Sequence, residues 1–393
     1  MRVAIVHHWF VTRGGGERVA ECLASLFPEA TIFTLLADAP GIPDSMKHRE
    51  IRTSFLQKIP LARRFHRHMM PLYPAATEAL DLRGFDLVIS SDSGPVKGVL
   101  IDKCATHICY CHSPMRYLWD EFASYQADMG LLTRTAFSAT AARVREWDLR
   151  AAQRVTFFLA NSGYVAGRIL RSYGRESTVI HPPIDTGRIP SARHANGAYL
   201  CAGRLVGYKK TSMIIEACSR LGRKLRIAGT GPEEAQLQKM APPGVTFLGA
   251  LSNEALWQEY ADCRALVFAA DEDFGMVPLE AQACGRPVIA YGAGGSLETV
   301  RGVWADLEEP AAIARGMTGV YFREQEVDSL VRGILHFEEV EAAGFFDSQE
   351  IASWAAGFDT SIFLKNIRDF VLSHVPSASA SMLPDAEAES VEE

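Results

Sequence analysis

The chain has 393 residues, enough for two or three domains of ordinary size with substantial cores. Apolar residues make up 48% and charged ones 22%, the balance of a globular enzyme rather than of a disordered or fibrous chain. The net charge of −7 is concentrated at the end, in Asp385, Glu387, Glu389, Glu392 and Glu393; without them the body is near −2, which argues against nucleic acid as a partner.

In chain order, Met1–Val6 reads as a strand, with no apolar leader or small-residue cleavage site around it. Further apolar runs follow at Thr31–Leu36, Phe85–Ser90, His107–Cys111 and Thr156–Ala160. They resume at Tyr199–Ala202, Lys224–Ala228, Val245–Leu248, Ala265–Phe268, Val288–Tyr291 and Gly319–Phe322. Runs of four to seven apolar residues, each trailed by a helical pattern, predict parallel strands covered on both faces. Ten or more such strands predict two doubly wound sheets rather than one. No run approaches the roughly 18 residues of a membrane span. The eight cysteines form no CxxC pair, and Cys201, Cys263 and Cys284 lie in apolar runs, which points to a reducing, cytoplasmic setting.

The break between domains is predicted in Ile180–Gly197, with its Pro182-Pro183 pair and a polar stretch after it. The expected layout is a first domain over 1–185 and a second over 186–348. Two helices over 349–373 then pack on the first domain, with Asp347 and Ser348 as candidate caps. An acidic, disordered tail occupies 374–393.

Three segments carry candidate chemistry. Gly14-Gly15-Gly16 follows the first strand and opens a helix at Glu17, so its amides can approach an oxygen-rich ligand at a positive helix end. Its spacing is not GxGxxG, which weakens a dinucleotide reading, and a bare tight turn is the plain alternative. After Tyr199–Ala202 come Arg204 and Lys209, a forked and a compact cation suited to a diphosphate, or else two surface charges. After Ala265–Phe268 comes Asp271-Glu272-Asp273-Phe274-Gly275-Met276-Val277-Pro278-Leu279-Glu280. Ligands of open parallel sheets bind beyond the carboxyl ends of strands, where the Glu272 and Glu280 carboxylates can accept hydrogen bonds from sugar and ribose hydroxyls. The bland counterpart is a pair of solvated acids, one favouring a helix N-terminus.

Gly203-Arg204-Leu205 with Lys209, then Glu272 and Glu280 eight positions apart, then Ala283-Cys284-Gly285-Arg286-Pro287-Val288 together resemble the family 4 glycosyltransferases. The likeness covers about residues 1–372. It implies a GT-B fold: two Rossmann-like domains facing across a cleft, with a C-terminal helix crossing back within Gln349–Val371. It also implies retention of anomeric configuration, no metal and no cofactor. Carried over by residue, Arg204 and Lys209 hold the donor diphosphate, Glu272 faces the transferred sugar and Glu280 the ribose. Amides of Phe274 and Gly275 meet sugar hydroxyls, and those of Gly15 and Gly16 the phosphate side. Gly231, in the Gly229-Thr230-Gly231-Pro232 turn, completes the donor set. Lys210 is a departure, since the family often has glycine there.

His107-Ile108-Cys109-Tyr110-Cys111-His112 invites a zinc reading, but no second ligand cluster is spaced to complete a tetrahedral site. His112 instead resembles the family's cleft histidine, with a strand-end cap as the bland alternative. Met115-Arg116-Tyr117-Leu118-Trp119-Asp120 resembles the subgroup adding mannose in bacterial exopolysaccharide and O-antigen assembly.

Ile51–Tyr73 carries Lys58, Arg63, Arg64 and Arg67 among apolar side chains at near-helical spacing and has no acid. Such a segment fits an anionic membrane surface and a polyprenyl-diphosphate acceptor, or an ordinary amphipathic helix packed on the sheet. The expectation is therefore a retaining transferase, peripheral on the inner face of the membrane. It moves mannose from GDP-mannose onto a lipid-linked saccharide. A UDP-sugar donor such as UDP-glucose is the alternative within the class, and a silent sugar- or lipid-binding module the alternative outside it.

Overall fold

The computed structural model describes residues 1–66, 69–127, 129–192, 195–306, 316–376 and 378. Almost all of the expected acidic tail, and Arg67, lie outside them. The chain divides into two compact units, Met1–Pro183 together with the chain from Ser361 onward, and Ile184–Thr360.

The first unit is built on seven described strands: β1 (Val3–Phe10), β2 (Thr31–Ala37), β3 (Ile51–Thr53), β4 (Leu87–Asp92), β5 (Thr106–Cys111), β6 (Phe157–Ala160) and β7 (Thr178–Val179). Their order is β3-β2-β1-β4-β5-β6-β7, all parallel, with Ile5 opposite Ile32 and Ile89, and Ile89 opposite Ile108. Both faces are covered, as the continuous apolar runs require. Val3, Ile5, Leu87, Ile89, Ile108 and Tyr110 pack to one side, while Ala4, Val6, Val88, Cys109 and Cys111 pack to the other.

The second unit repeats the design with β8 (Tyr199–Ala202), β9 (Leu225–Ala228), β10 (Val245–Gly249), β11 (Leu266–Phe268), β12 (Val288–Tyr291), β13 (Gly302–Trp304) and β14 (Gly319–Phe322). The parallel order is β10-β9-β8-β11-β12-β14-β13. Tyr199, Cys201, Ile227, Val267 and Ile289 face one core, and Leu200, Ala202, Leu266, Phe268 and Ala290 the other.

Asp347 caps the helix Ser348–Ala356, its carboxylate accepting from the amides of Gln349 (2.7 Å) and Glu350 (3.0 Å). This helix stays with the second unit, where Ile351 and Ala355 are buried and it packs on the helix Met276–Ala283. Of the two C-terminal helices, only Thr360–His374 returns to the first unit. There Phe363, Ile367, Phe370 and Val371 join the core beneath β1, β2 and β5. Among the described residues no helix is long and apolar enough to cross a membrane.

Candidate active site

Each sheet has a central point where the strand order reverses, leaving a crevice beyond the carboxyl ends of two adjacent strands. In the second unit this point lies between β8 and β11, and both motifs read from the sequence issue from it. The pocket there is lined by Gly203, Arg204, Lys209, Thr211, Phe268 and Ala270, among others. Arg204 is exposed, and among the described residues it makes no ion pair. Lys209 ends the turn Gly207–Lys209 and reaches the carboxylate of Glu272. Its ammonium also lies 5.2 Å from the centre of the Phe268 ring. Lys210 sits in a left-handed conformation (φ 56°) at the start of the helix Thr211–Arg220. The glycine that the family often carries there suits that backbone without strain.

Glu280 lies on the helix Met276–Ala283 and accepts a hydrogen bond from the Tyr260 hydroxyl (3.0 Å). Burial pushes its carboxyl up to about 7, against the opposing effect of that bond. Gly275 precedes the helix in a left-handed conformation (φ 96°), and the Phe274 ring is buried against Ile184, Leu279 and Phe358. Phe274 therefore has only its backbone to offer a ligand. Gly231 is required by close approach, because a Cβ there would lie 2.2 Å from the carbonyl oxygen of Leu205. It locks one loop onto the next.

Sequence reasoning overlooked the loop after β12. The Gly295 amide donates to the Glu272 carbonyl (2.8 Å), and a Cβ on Gly294 would lie 2.5 Å from that same oxygen. Gly292-Ala293-Gly294-Gly295 thus fixes the backbone that presents Glu272. A glycine run directly after an apolar strand was the available signal.

In the first unit the order reverses between β1 and β4, and three imidazoles gather at the neighbouring strand ends. His112 follows β5, its amide donating to the Asp92 carbonyl (2.8 Å) and its Nε2 lying 2.8 Å from Ser91 Oγ. His7 Nδ1 lies 3.1 Å from the same hydroxyl, and the His7 and His8 ring centres are 4.2 Å apart. Burial and the neighbouring His7 depress the His112 pKa to about 3, so the ring is neutral at ordinary pH. Gly15 and Gly16 open the helix Gly15–Leu26, and a Cβ on Gly16 would lie 3.5 Å from His7 and 3.7 Å from His112.

Other expected residues play different parts. His107, Cys109 and Cys111 are core residues, His107 paired with Ser90 (2.9 Å). Among the described residues no group of three or more His, Cys, Asp or Glu is placed to share a metal ion. Met115 and Leu118 are buried, and Trp119 donates to Asp148 (3.0 Å). The described part of Ile51–Tyr73 is not one amphipathic helix. It runs as β3, a turn at Phe55–Lys58, a short helix Ala62–Phe65 and a turn at Met70–Leu72. Its buried residues, such as Leu56, Ala62 and Met70, anchor these pieces, and Pro60 and Pro71 interrupt any longer helix. Lys58, Arg63 and Arg64 are exposed, Arg63 paired with Asp38 (2.8 Å).

Comparison with known proteins bears on the whole arrangement. Residues 13–188 match the family model "Glycosyltransferase Family 4", and residues 197–362 match "Glycosyl transferases group 1". The chain is 31% identical to a D-inositol 3-phosphate glycosyltransferase of Geodermatophilus obscurus, over 47% of this chain and 53% of that protein. It is 33% identical to a GDP-mannose-dependent alpha-(1-6)-phosphatidylinositol monomannoside mannosyltransferase of Mycolicibacterium smegmatis, over 35% of this chain and 45% of the relative. The chain thus spans about half the length of the curated relatives it matches. Among solved structures, Anabaena HepE in complex with UDP superposes with a TM-score of 0.68 at 17% identity, over 95% of this chain and all of that one. Sucrose-phosphate synthase of Thermosynechococcus elongatus gives 0.65 at 16%, over 95% and 99%.

The class these findings define is the GT-B fold, two doubly wound units of the kind described above. Within it, the chain belongs to glycosyltransferase family 4.

Proposed function

We propose that the chain is a retaining, metal-independent glycosyltransferase that moves mannose from GDP-mannose onto a lipid-linked saccharide in cell-surface polysaccharide assembly. The observation that carries the transferase reading is the meeting of Arg204, Lys209 and Glu272 at the strand reversal between β8 and β11, with Glu280 on the helix that follows. Cations at that point suit a diphosphate that gains negative charge as the glycosidic bond breaks. Fixed charges of this kind act most in the transition state. The Lys209 ammonium, paired with Glu272 in the free protein, would exchange that carboxylate for phosphate oxygens, leaving Glu272 to accept from sugar hydroxyls. Glu280 suits the ribose, and by the family resemblance His112 meets the transferred sugar. The sequence offers no clear carboxylate nucleophile, so attack from the leaving-group face through an oxocarbenium-like state is the reading adopted.

Mannose is supported by the Met115–Asp120 resemblance and by relatives whose names specify GDP-mannose. Docking on the inner face of the membrane is supported by exposed Phe55, Leu61, Phe65 and Leu72 interleaved with Lys58, Arg63 and Arg64. The test is transfer of label from GDP-mannose, UDP-glucose or UDP-N-acetylglucosamine into the organic phase of a lipid extract, with chelator present. Label from GDP-mannose alone supports the full reading. Label from a UDP sugar alone replaces the donor. No transfer and no nucleotide-sugar binding would leave a silent binding module. Flotation with anionic liposomes tests the membrane contact separately.

A further inference from the structure

Four side chains of the first unit stand in line. The Ser91 hydroxyl, fully buried at the end of β4, lies between two imidazoles, 2.8 Å from Nε2 of His112 and 3.1 Å from Nδ1 of His7. On the far side of the fully buried His7 ring, Nε2 lies 3.9 Å from Oε1 of Glu17, whose side chain is 10% exposed. Among the described residues, Nδ1 of His112 makes no hydrogen bond.

The hydroxyl owns a single hydrogen, so it donates to one imidazole and accepts from the other. Two arrangements satisfy it. In the first, Ser91 donates to His7 Nδ1 and accepts from His112 Nε2–H. In the second, Ser91 donates to His112 Nε2, and His7 Nδ1–H donates to Ser91. Glu17 decides between them. A carboxylate 3.9 Å from His7 Nε2 is too distant for a hydrogen bond, but in a shielded setting it favours an N–H at that nitrogen and disfavours a lone pair. The first arrangement puts the N–H there and the second puts the lone pair there. The tautomer of one ring nitrogen is set by the bond the other makes, so the preference passes along the line. With His112 neutral and its proton on Nε2, Nδ1 carries the lone pair.

We infer that Glu17, His7 and Ser91 are positioning residues that set the tautomer of His112, which presents Nδ1 as a hydrogen-bond acceptor for a sugar hydroxyl. The link to sugar rests on the proposed function; the tautomer itself does not. The consequence is selectivity for a group that donates. Replacing the facing hydroxyl by fluorine keeps its size but removes the proton. A site built to accept from that hydroxyl rejects the analogue, because its own polar atom is left unpaired.

The experiment uses the full chain with 15N-labelled histidine, the His112 resonances being assigned from a His112→Gln spectrum. Long-range proton–nitrogen correlations report which ring nitrogen is protonated. The expected result is Nε2–H in the wild type, a mixed population in Ser91→Ala, and a shift toward Nδ1–H in Glu17→Gln. A wild-type His112 protonated on Nδ1 overturns the inference whatever the activity. In the second arm, donor analogues with single hydroxyls replaced by fluorine are compared for kcat/KM. The wild type should discriminate against one position by about tenfold or more, and Ser91→Ala should lose that discrimination. A purely structural Ser91 would lower all analogues equally, which overturns the recognition role. If no nucleotide sugar binds but the tautomer is as stated, the functional reading fails and the assignment within the fold stands.

Discussion

If Glu280 meets the donor ribose as proposed, it couples donor binding to proton release. In the folded chain its carboxyl titrates near 7, against an ordinary 4.5, because burial disfavours the charged form. Ribose hydroxyls that donate to it favour that charged form. At pH 8 about nine-tenths of the free protein has the carboxylate ready, and at pH 6 about one-tenth. The apparent affinity for GDP-mannose should therefore fall about tenfold between pH 8 and pH 6. The sugar nucleotide is a diphosphate diester with no proton of its own to exchange in this range. Calorimetric titrations at several pH values, in buffers of differing ionisation enthalpy, measure both the slope and the proton released. Glu280→Gln should bind more weakly at pH 8 and show no such slope. The same residue leaves a mark on stability. The folded chain holds an extra proton between 4.5 and 7, so the contribution is fully favourable below 4.5 and is lost as pH rises through 7. The loss reaches at most about 3 kcal/mol by pH 8. The glutamine variant should accordingly gain stability relative to wild type as pH rises from 5 to 8. An equal affinity slope in wild type and variant would refute the placement of Glu280 at the ribose. Equal pH dependence of unfolding would refute its raised pKa.

Arg204→Ala and Lys209→Ala should each lower kcat by about 10²–10³ with a smaller change in donor KM, read from steady-state kinetics; a change in KM alone would limit them to ground-state binding. Gly16→Ala places a methyl in ordinary contact with His7 and His112, and as a helix residue alanine stabilises by up to about 1 kcal/mol. Thermal unfolding should show an unchanged or higher Tm while activity falls by roughly 10², since the methyl covers His112. Lys97 is fully buried, donating to Asp92 (3.2 Å) and to the Gly94 carbonyl (2.9 Å) and ion-paired with Asp148 (2.6 Å). Lys97→Met strands two buried carboxylates and should cost about 3–5 kcal/mol in urea unfolding, much of it recovered when Asp92 and Asp148 are also made asparagine.

The sequence made the central strands legible and hid the shortest marginal ones, for a physical reason. β1, β4, β8 and β12 are buried on both faces, which demands the apolar runs by which they were read. The strands that went unread, β3, β7 and β13, are two or three residues long and lie at the sheet margins. A marginal strand has one neighbour and a half-solvated face, so Ile51-Arg52-Thr53 and Thr178-Val179 need no apolar run. The basic segment misled for a related reason. Its apolar positions fit a helical period, yet they serve separate short pieces that each bury one or two residues.

The candidate site was legible where one loop carries several chemical residues and illegible where chemistry depends on loops meeting. Arg204, Lys209 and Glu272 stand on two loops at a strand reversal, with Glu280 on the helix that follows the second, so spacing alone could group them. That Lys209 is paired with Glu272, 63 positions away, is not contained in any spacing. Nor is the line from Glu17 through His7 and Ser91 to His112, whose members come from the first helix and the ends of three different strands. In both cases the fold couples residues whose roles would otherwise be argued one at a time. Under the proposed function, a phosphate that drew Lys209 away would free Glu272 in the same step. Under the inference drawn above, a proton placed by Glu17 on His7 would set whether His112 Nδ1 can accept a hydrogen bond. The resemblance names single residues; these couplings are what the parallel sheets add, because strand ends from distant parts of the chain emerge side by side at one edge.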